Sequence, residues 1–175
     1  MARARKRRPA TVSRPALLAG GSDAGFRLLI HDLIAYGHKL DACRDAFAAI
    51  AGISGVQYEI LMLVSRAEGL AVGEVAARLH RSGAFITIEA NKLVTQGILA
   101  KASDPADGRR VLLQMNAKSD ALLERLAPYQ VRINDVLFEA LDAKRFRELR
   151  ALAGDLVASG DRAVAMLDYL KREAA

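Results

Sequence analysis

Six basic side chains fall between residues 71 and 115: Arg78, Arg81, Lys92, Lys101, Arg109 and Arg110. Four acids share the stretch, Glu74, Glu89, Asp104 and Asp107, which leaves two positive charges in excess. Guanidinium and ammonium groups at this density suit the neutralisation of phosphates and hydrogen bonding to base edges. Between them lie uncharged residues, Gly83, Ala84, Thr87, Ile88 and Asn91, of which Gly83 and Ala84 let a helix backbone approach a partner closely. Other chemistries lack their residues. His31, His38 and Asp45 recur every seven positions and share a helix face. Seven residues rise about 10.5 Å, too far for one metal ion to bridge. The single cysteine, Cys43, excludes an intramolecular disulfide and a cysteine-based zinc site. It is read as a small buried or semi-buried thiol, with redox sensing as the alternative. No HExxH, GxSxG, Walker or dinucleotide fingerprint occurs. The sequence therefore predicts no enzyme, no catalytic residue, no metal and no cofactor.

These side chains need a scaffold. The chain has 175 residues, 52% hydrophobic and 26% charged, enough for one domain or a compact pair of subdomains. No apolar run approaches the 18 residues of a membrane span. With one cysteine and no signal-type apolar region, a cytoplasmic setting is expected. Residues 1–25 read as a disordered basic arm. Residues 1–22 carry Arg3, Arg5, Lys6, Arg7, Arg8 and Arg14 and no acid, which accounts for the whole net charge of +6. A solvated tail and an extra contact to flanking DNA phosphates are both compatible with that run.

Helical periodicity starts at Phe26 and continues through Leu29, Ile30, Leu33, Leu40 and Phe47 to near Gly52. Ser54 and Gln57 form a capping box for a second helix, with Ile53 and Tyr58 as its hydrophobic staple. A short helix follows over about 73–79. Ser82 then caps another, whose inward face is expected to be Phe85, Ile86, Ala90 and Leu93, with Gly97 as its stop. The period then changes. Residues 98–103 and 110–115 are strand-like and flank the turn-forming DPADGR. Asn116 is a plausible cap for a helix bent or broken at Pro128, and Asp142 for a last helix. That last helix carries a stripe of Phe146, Leu149, Leu156, Val164, Leu167 and Leu170. Such terminal stripes cannot be buried within one small chain, so a homodimer is expected. The fold class is mostly α with a small β-hairpin wing: a winged helix-turn-helix over 53–115, and a helical dimerisation region over 26–52 and 116–175.

In VGEVAARLHRSGAFITIEANKLVTQGIL and DPADGRRVLLQMN the chain resembles the MarR (multiple antibiotic resistance regulator) family of transcriptional regulators. The resemblance runs from about Phe26 to Leu170. It rests on the 18-residue step from Leu79 to Gly97 and on the wing pattern Asp104, Asp107, Arg109, Arg110. It implies a recognition helix in the major groove and a wing arginine, Arg109, in the minor groove, oriented by Asp107. It further implies a repressor released from a pseudo-palindromic double-stranded operator by a small aromatic or anionic effector. Three positions depart from the family. His80 replaces the inter-helix glycine, Ile88 followed by Glu89 replaces a mid-helix arginine, and Asn116 replaces a capping threonine.

Roles follow by position. Gly83, Ala84, Thr87, Ile88 and Asn91 would face base edges, with Ile88 suited to a thymine methyl. Arg81, Ser82 and Lys92 would contact phosphate, and Lys101 and Arg110 lie beside the groove. For Thr87, Asn91 and Lys92 taken singly, plain solvation is as good a reading. Ser82 is a helix cap first, and Arg109 with Arg110 would be a solvated pair were no helix-turn-helix in front of them. His31 and His38, with Tyr58 and Met62 on the second helix, are the candidate effector site. Their alternative is local hydrogen bonding. Two rival functions remain, an architectural DNA-binding protein without a ligand and a protein-interaction module with a vestigial wing.

Overall fold

The computed structural model describes residues 9–174. Among these residues a single 3-10 turn at Pro15–Leu17 is followed by six α-helices and three short strands. These are α1 (Ala24–Ala51), α2 (Gly55–Val64), β1 (Leu70–Ala71), α3 (Val72–Arg78), α4 (Gly83–Thr95), β2 (Ala100–Ser103), β3 (Val111–Gln114), α5 (Ala117–Leu137) and α6 (Ala143–Glu173). The chain divides into two compact units, one ending at Tyr129 and the other beginning at Gln130.

The first unit holds the core. Ile60, Leu61 and Val64 of α2, Val75 of α3, Ile86, Ala90 and Leu93 of α4, Leu113 of β3 and Leu126 of α5 are fully buried. Each large side chain removed from water in this way contributes roughly 1.5–3 kcal/mol. The helix ends follow local chemistry. The Ser54 hydroxyl accepts from the Gln57 amide, and the Gln57 carboxamide accepts from the Ser54 amide, closing the expected box. Gly52 and Gly97 take left-handed φ of 74° and 69° just past α1 and α4, a conformation that costs a residue with a Cβ. His80, in the turn between α3 and α4, has φ of 49° without being glycine. Left-handed backbone there costs on the order of 1 kcal/mol.

The sheet is antiparallel in the order β1-β3-β2. Lys101 pairs with Leu113 and Ser103 with Val111, which gives the expected hairpin. The third strand was not expected. Leu70 and Ala71 pair with Leu113 and Leu112, and two residues are too few to show alternation in sequence. Gly69 permits this approach, since a Cβ there would lie 3.2 Å from that of Leu112.

Three expectations need correction. The helix expected to bend or break at Pro128 is not broken there and runs on as α5 to Leu137. Pro128 and Glu124 are both exposed, so the carbonyl that loses its partner meets water. Phe85, expected inward, is 40% exposed, and Glu89 takes the buried position instead. The disordered arm expected over 1–25 is also revised. Its basic run through Arg8 lies outside the described residues, but from Pro9 the chain is tied down. The buried Asp23 carboxylate accepts from the Thr11 amide at 2.7 Å, the Thr11 hydroxyl at 2.9 Å and Arg27 Nε at 2.9 Å. Arg27 also donates to the Pro9 carbonyl at 2.7 Å. The Arg27 guanidinium, followed by the Thr11 amide, holds Asp23 well below the usual carboxylate range against the opposing effect of burial. Composition cannot reveal a network of so few polar residues.

The second unit is different. No described residue of α6 is buried. No helix among the described residues is by itself long and apolar enough to cross a membrane.

Candidate nucleic-acid interface

Helix α4 exposes one side and buries the other. Ile86, Glu89, Ala90 and Leu93 face inward, while Gly83, Ala84, Thr87, Ile88, Asn91 and Lys92 are exposed, as are Arg81 and Ser82 just before them. Ser82 does act as the cap, its hydroxyl accepting from the Phe85 amide at 3.3 Å. With part of the first turn so satisfied, the remaining N-terminal amides and the positive end of the helix dipole favour an anion.

Several of the expected contact residues are already engaged within the fold. Glu89 Oε2 accepts from Gln57 Nε2 at 2.9 Å, and Oε1 accepts from Lys92 Nζ at 2.6 Å. The Lys92 hydrogen bond, aided by Gln57, keeps Glu89 below the usual carboxylate range despite its burial. Lys101 Nζ donates to Asn91 Oδ1 at 2.7 Å. Thr87 Oγ1 donates back to the Gly83 carbonyl at 2.7 Å. Arg110 pairs with Glu74 of α3 at 3.2 Å and with Asp104 at 3.6 Å, bracing the wing against α3.

Arg109 stands apart, with a side chain 98% exposed. The wing turn that carries it is locally determined. The Asp104 carboxylate accepts from the Ala106 amide at 2.8 Å, and that of Asp107 from the Arg109 amide at 3.1 Å. Asp107 lies 3.9 Å from Arg109 Nε, close enough to bias the guanidinium without immobilising it. The far end of α4 is held by α5. Asn116 Nδ2 donates to the Gly97 carbonyl at 3.1 Å and Lys118 Nζ to the Gln96 carbonyl at 2.6 Å. Asn116 Oδ1 also accepts from the Lys118 and Ser119 amides, so the residue that replaces threonine both caps α5 and clamps α4.

The four candidate effector residues are not gathered in one chain. Tyr58 is buried with its ring 6.2 Å from that of Phe47, and Met62 packs half-buried on the core. His31 and His38 are exposed on α1. His31 precedes Phe47 by sixteen residues, about 24 Å along the helix. Cys43 is half-buried against the core. Among the described residues no three histidine, cysteine or acidic side chains are grouped to hold a metal.

The residues sequence reasoning missed are Gln57, taken only as a cap, and Glu89, taken only as a departure. A charged residue at a core-facing helical position was the available signal.

A model of the MarR family matches residues 51–110, which span the junction of α1 and α2, the helix-turn-helix and most of the wing. The HTH-type transcriptional regulator YhbI of Bacillus subtilis (strain 168) is 24% identical over 104 residues, covering 59% of this chain and 68% of YhbI. A MarR transcriptional regulator from Methanosarcina mazei Go1 has the same fold, with a TM-score of 0.62 at 19% identity over 77% of this chain and 97% of the other. E. coli MarR in its apo form gives 0.57 at 21% identity, over 73% and 93%. Bordetella bronchiseptica BpsR, whose DNA binding is regulated by 6-hydroxynicotinic acid, gives 0.58 at 20%, over 73% and 91%.

Proposed function

We propose that the chain is a DNA-binding transcriptional regulator of the MarR family, whose model matches residues 51–110, and that it works as a homodimeric repressor on a two-fold symmetric operator. The observation that carries the dimer is α6. Phe146, Ala153, Gly160 and Leu167 repeat every seven residues, as do Leu149, Leu156, Ala163 and Leu170. That is the seam of a helix pair, with small residues where backbones come closest. Its large members are exposed in the single chain. An apolar cleft of about 590 Å³, lined by Phe138, Leu141, Phe146 and Leu149 among others, opens beside the start of the seam. A second copy of the chain is the occupant with the same repeat.

A dimer presents two copies of α4, whose half-site centres should lie roughly 34 Å apart along the duplex. Leu156→Glu places a charge on the seam and touches no core contact. Sedimentation should show a dimer for the native protein and a monomer for this variant. Footprinting should show two protected half-sites for the first and weak or single protection for the second. A native protein that remains monomeric at micromolar concentration removes this reading.

Release by a small anionic or aromatic ligand completes the proposal. It is supported by the regulation of BpsR by 6-hydroxynicotinic acid and by two exposed histidines on α1 that suit a carboxylate or a phenol. A thermal-shift screen of aromatic carboxylates and phenols, followed by DNA release, tests it. Replacing His31 and His38 together by Ala should abolish any shift found, and a shift that persists places the ligand elsewhere.

A further inference from the structure

The exposed stripe of α4 consists of Ala84, Thr87, Ile88 and Asn91, at spacings of three, four and seven residues that form one helix face. Guanine is most often read by two hydrogen bonds from Arg or Lys to O6 and N7, and adenine by an Asn or Gln that donates to N7 and accepts from N6. The stripe holds no Arg and no Gln. Lys92, beside it, is neutralised by Glu89 at 2.6 Å, on a carboxylate itself held by Gln57. The Asn91 oxygen already accepts from Lys101. The Thr87 hydroxyl proton is given to the Gly83 carbonyl, which leaves Thr87 an acceptor oxygen and its γ-methyl. Beside the Asn91 amide donors and the Thr87 acceptor oxygen, the rest of the stripe is hydrocarbon: the Ala84 methyl, the Thr87 methyl and Ile88, which is 55% exposed, with Phe85 at 40% on the flank.

An exposed aliphatic face on a surface helix is a cost unless something apolar covers it. In the major groove the apolar group on a base edge is the C5-methyl of thymine. We propose that this protein reads its half-site chiefly through thymine methyls, with Ile88 as the central specificity-determining side chain. The proposal rests on the DNA-binding reading above and adds the chemical class of sequence it recognises. Arg81 and Arg109 flank the stripe and supply phosphate and minor-groove contacts. Phosphate contacts fix register but carry no base information, so the reading falls to the methyl face.

The test begins with the full-length protein and a pool of random duplexes, from which the fragment that survives competition by excess random DNA is taken. Each thymine is then replaced singly by deoxyuridine, which removes the methyl and keeps every hydrogen-bonding group. At least one position in each half-site should lose about fourfold in affinity, the effect of one buried methyl. Ile88→Ala should bind thymine and uracil versions of that position alike. As a surface change, it should leave thermal stability unchanged. A fragment fully substituted with uracil that binds as tightly as the original overturns the methyl reading alone, as does an Ile88→Ala variant that still prefers thymine at every position. If no fragment is preferred over random DNA, the operator-binding reading falls and takes this one with it.

Discussion

Leu93 and Leu156 both sit on amphipathic helices, yet Leu93 is fully buried and Leu156 is 51% exposed. Around Leu93, α2, α3, α4 and the sheet each supply an apolar face, and the four close on one another. Around Leu156 there is one long helix with a seven-residue repeat and no described residue buried. The same side chain is thus folding material in one region and, in the dimer we propose, association material in the other. What separates them is the availability of complementary faces within the chain, which no property of the residue encodes.

The sharpest way to break that contrast is one substitution made in both places. Leu93→Ala should destabilise the protein by about 2–5 kcal/mol through the cavity it leaves, with a fall in Tm that does not depend on protein concentration. Leu156→Ala should act through the dimer, so its Tm deficit should change with concentration. Equal and concentration-independent losses at both sites would erase the distinction.

A smaller effect separates the free wing arginine from the engaged one. Arg109→Ala should weaken DNA binding roughly 10- to 100-fold, the usual range for a groove-reading arginine, and leave Tm unchanged. Arg110→Ala should lower Tm through lost bracing by Glu74 and Asp104 and weaken binding less. The opposite ranking in a titration would reverse the assignment.

Smaller again is the effect at Lys92. Because Glu89 neutralises it, Lys92→Ala should barely alter the salt dependence of binding, contrary to what its exposed position suggests. Glu89→Gln should free the ammonium and steepen the slope by up to about 0.9 per subunit. Glu89 also gives a pH signature. Its carboxyl is held below the usual range in the folded state, so its stabilisation is complete above the unfolded glutamate pKa and is lost as pH falls through the folded value. Urea unfolding should show the native protein more stable than Glu89→Gln at neutral pH, with the gap closing in acid.

The smallest effect is expected at Asp23→Asn, which should speed hydrogen exchange in residues 9–22 and leave core amides unchanged. An unchanged exchange rate would show that the Thr11 and Arg27 contacts do not order that segment.

Local chemistry explains which features were legible in the sequence. The Ser54–Gln57 box, the Asn116 and Asp142 caps, the glycine stops and the DPADGR turn are settled by residues a few positions apart, and each forms as expected. The strand at Leu70 and the inversion of Phe85 and Glu89 depend on partners 32 to 43 positions away, Gln57 in one case and Leu113 in the other. Helical spacing assigns Phe85 and Glu89 to neighbouring parts of one face, and hydrophobicity alone then sends the phenylalanine inward. The structure favours Glu89 because Gln57 supplies a donor at that depth. On the surface, position identified the exposed side of α4 correctly, but it could not show that Lys92, Asn91 and Thr87 had partners.

The clasp around Asp23 moves the point from which the basic run departs. Read as an arm loose to residue 25, that run would be tethered at Phe26. With the Pro9 carbonyl held by Arg27, the tether lies instead at Pro9, at the head of α1 and 17 positions earlier in the chain. The variant that isolates the contribution of Arg3, Arg5, Lys6, Arg7 and Arg8 therefore lacks residues 2–8 alone, because a cut extending to residue 22 would undo the clasp together with the charge.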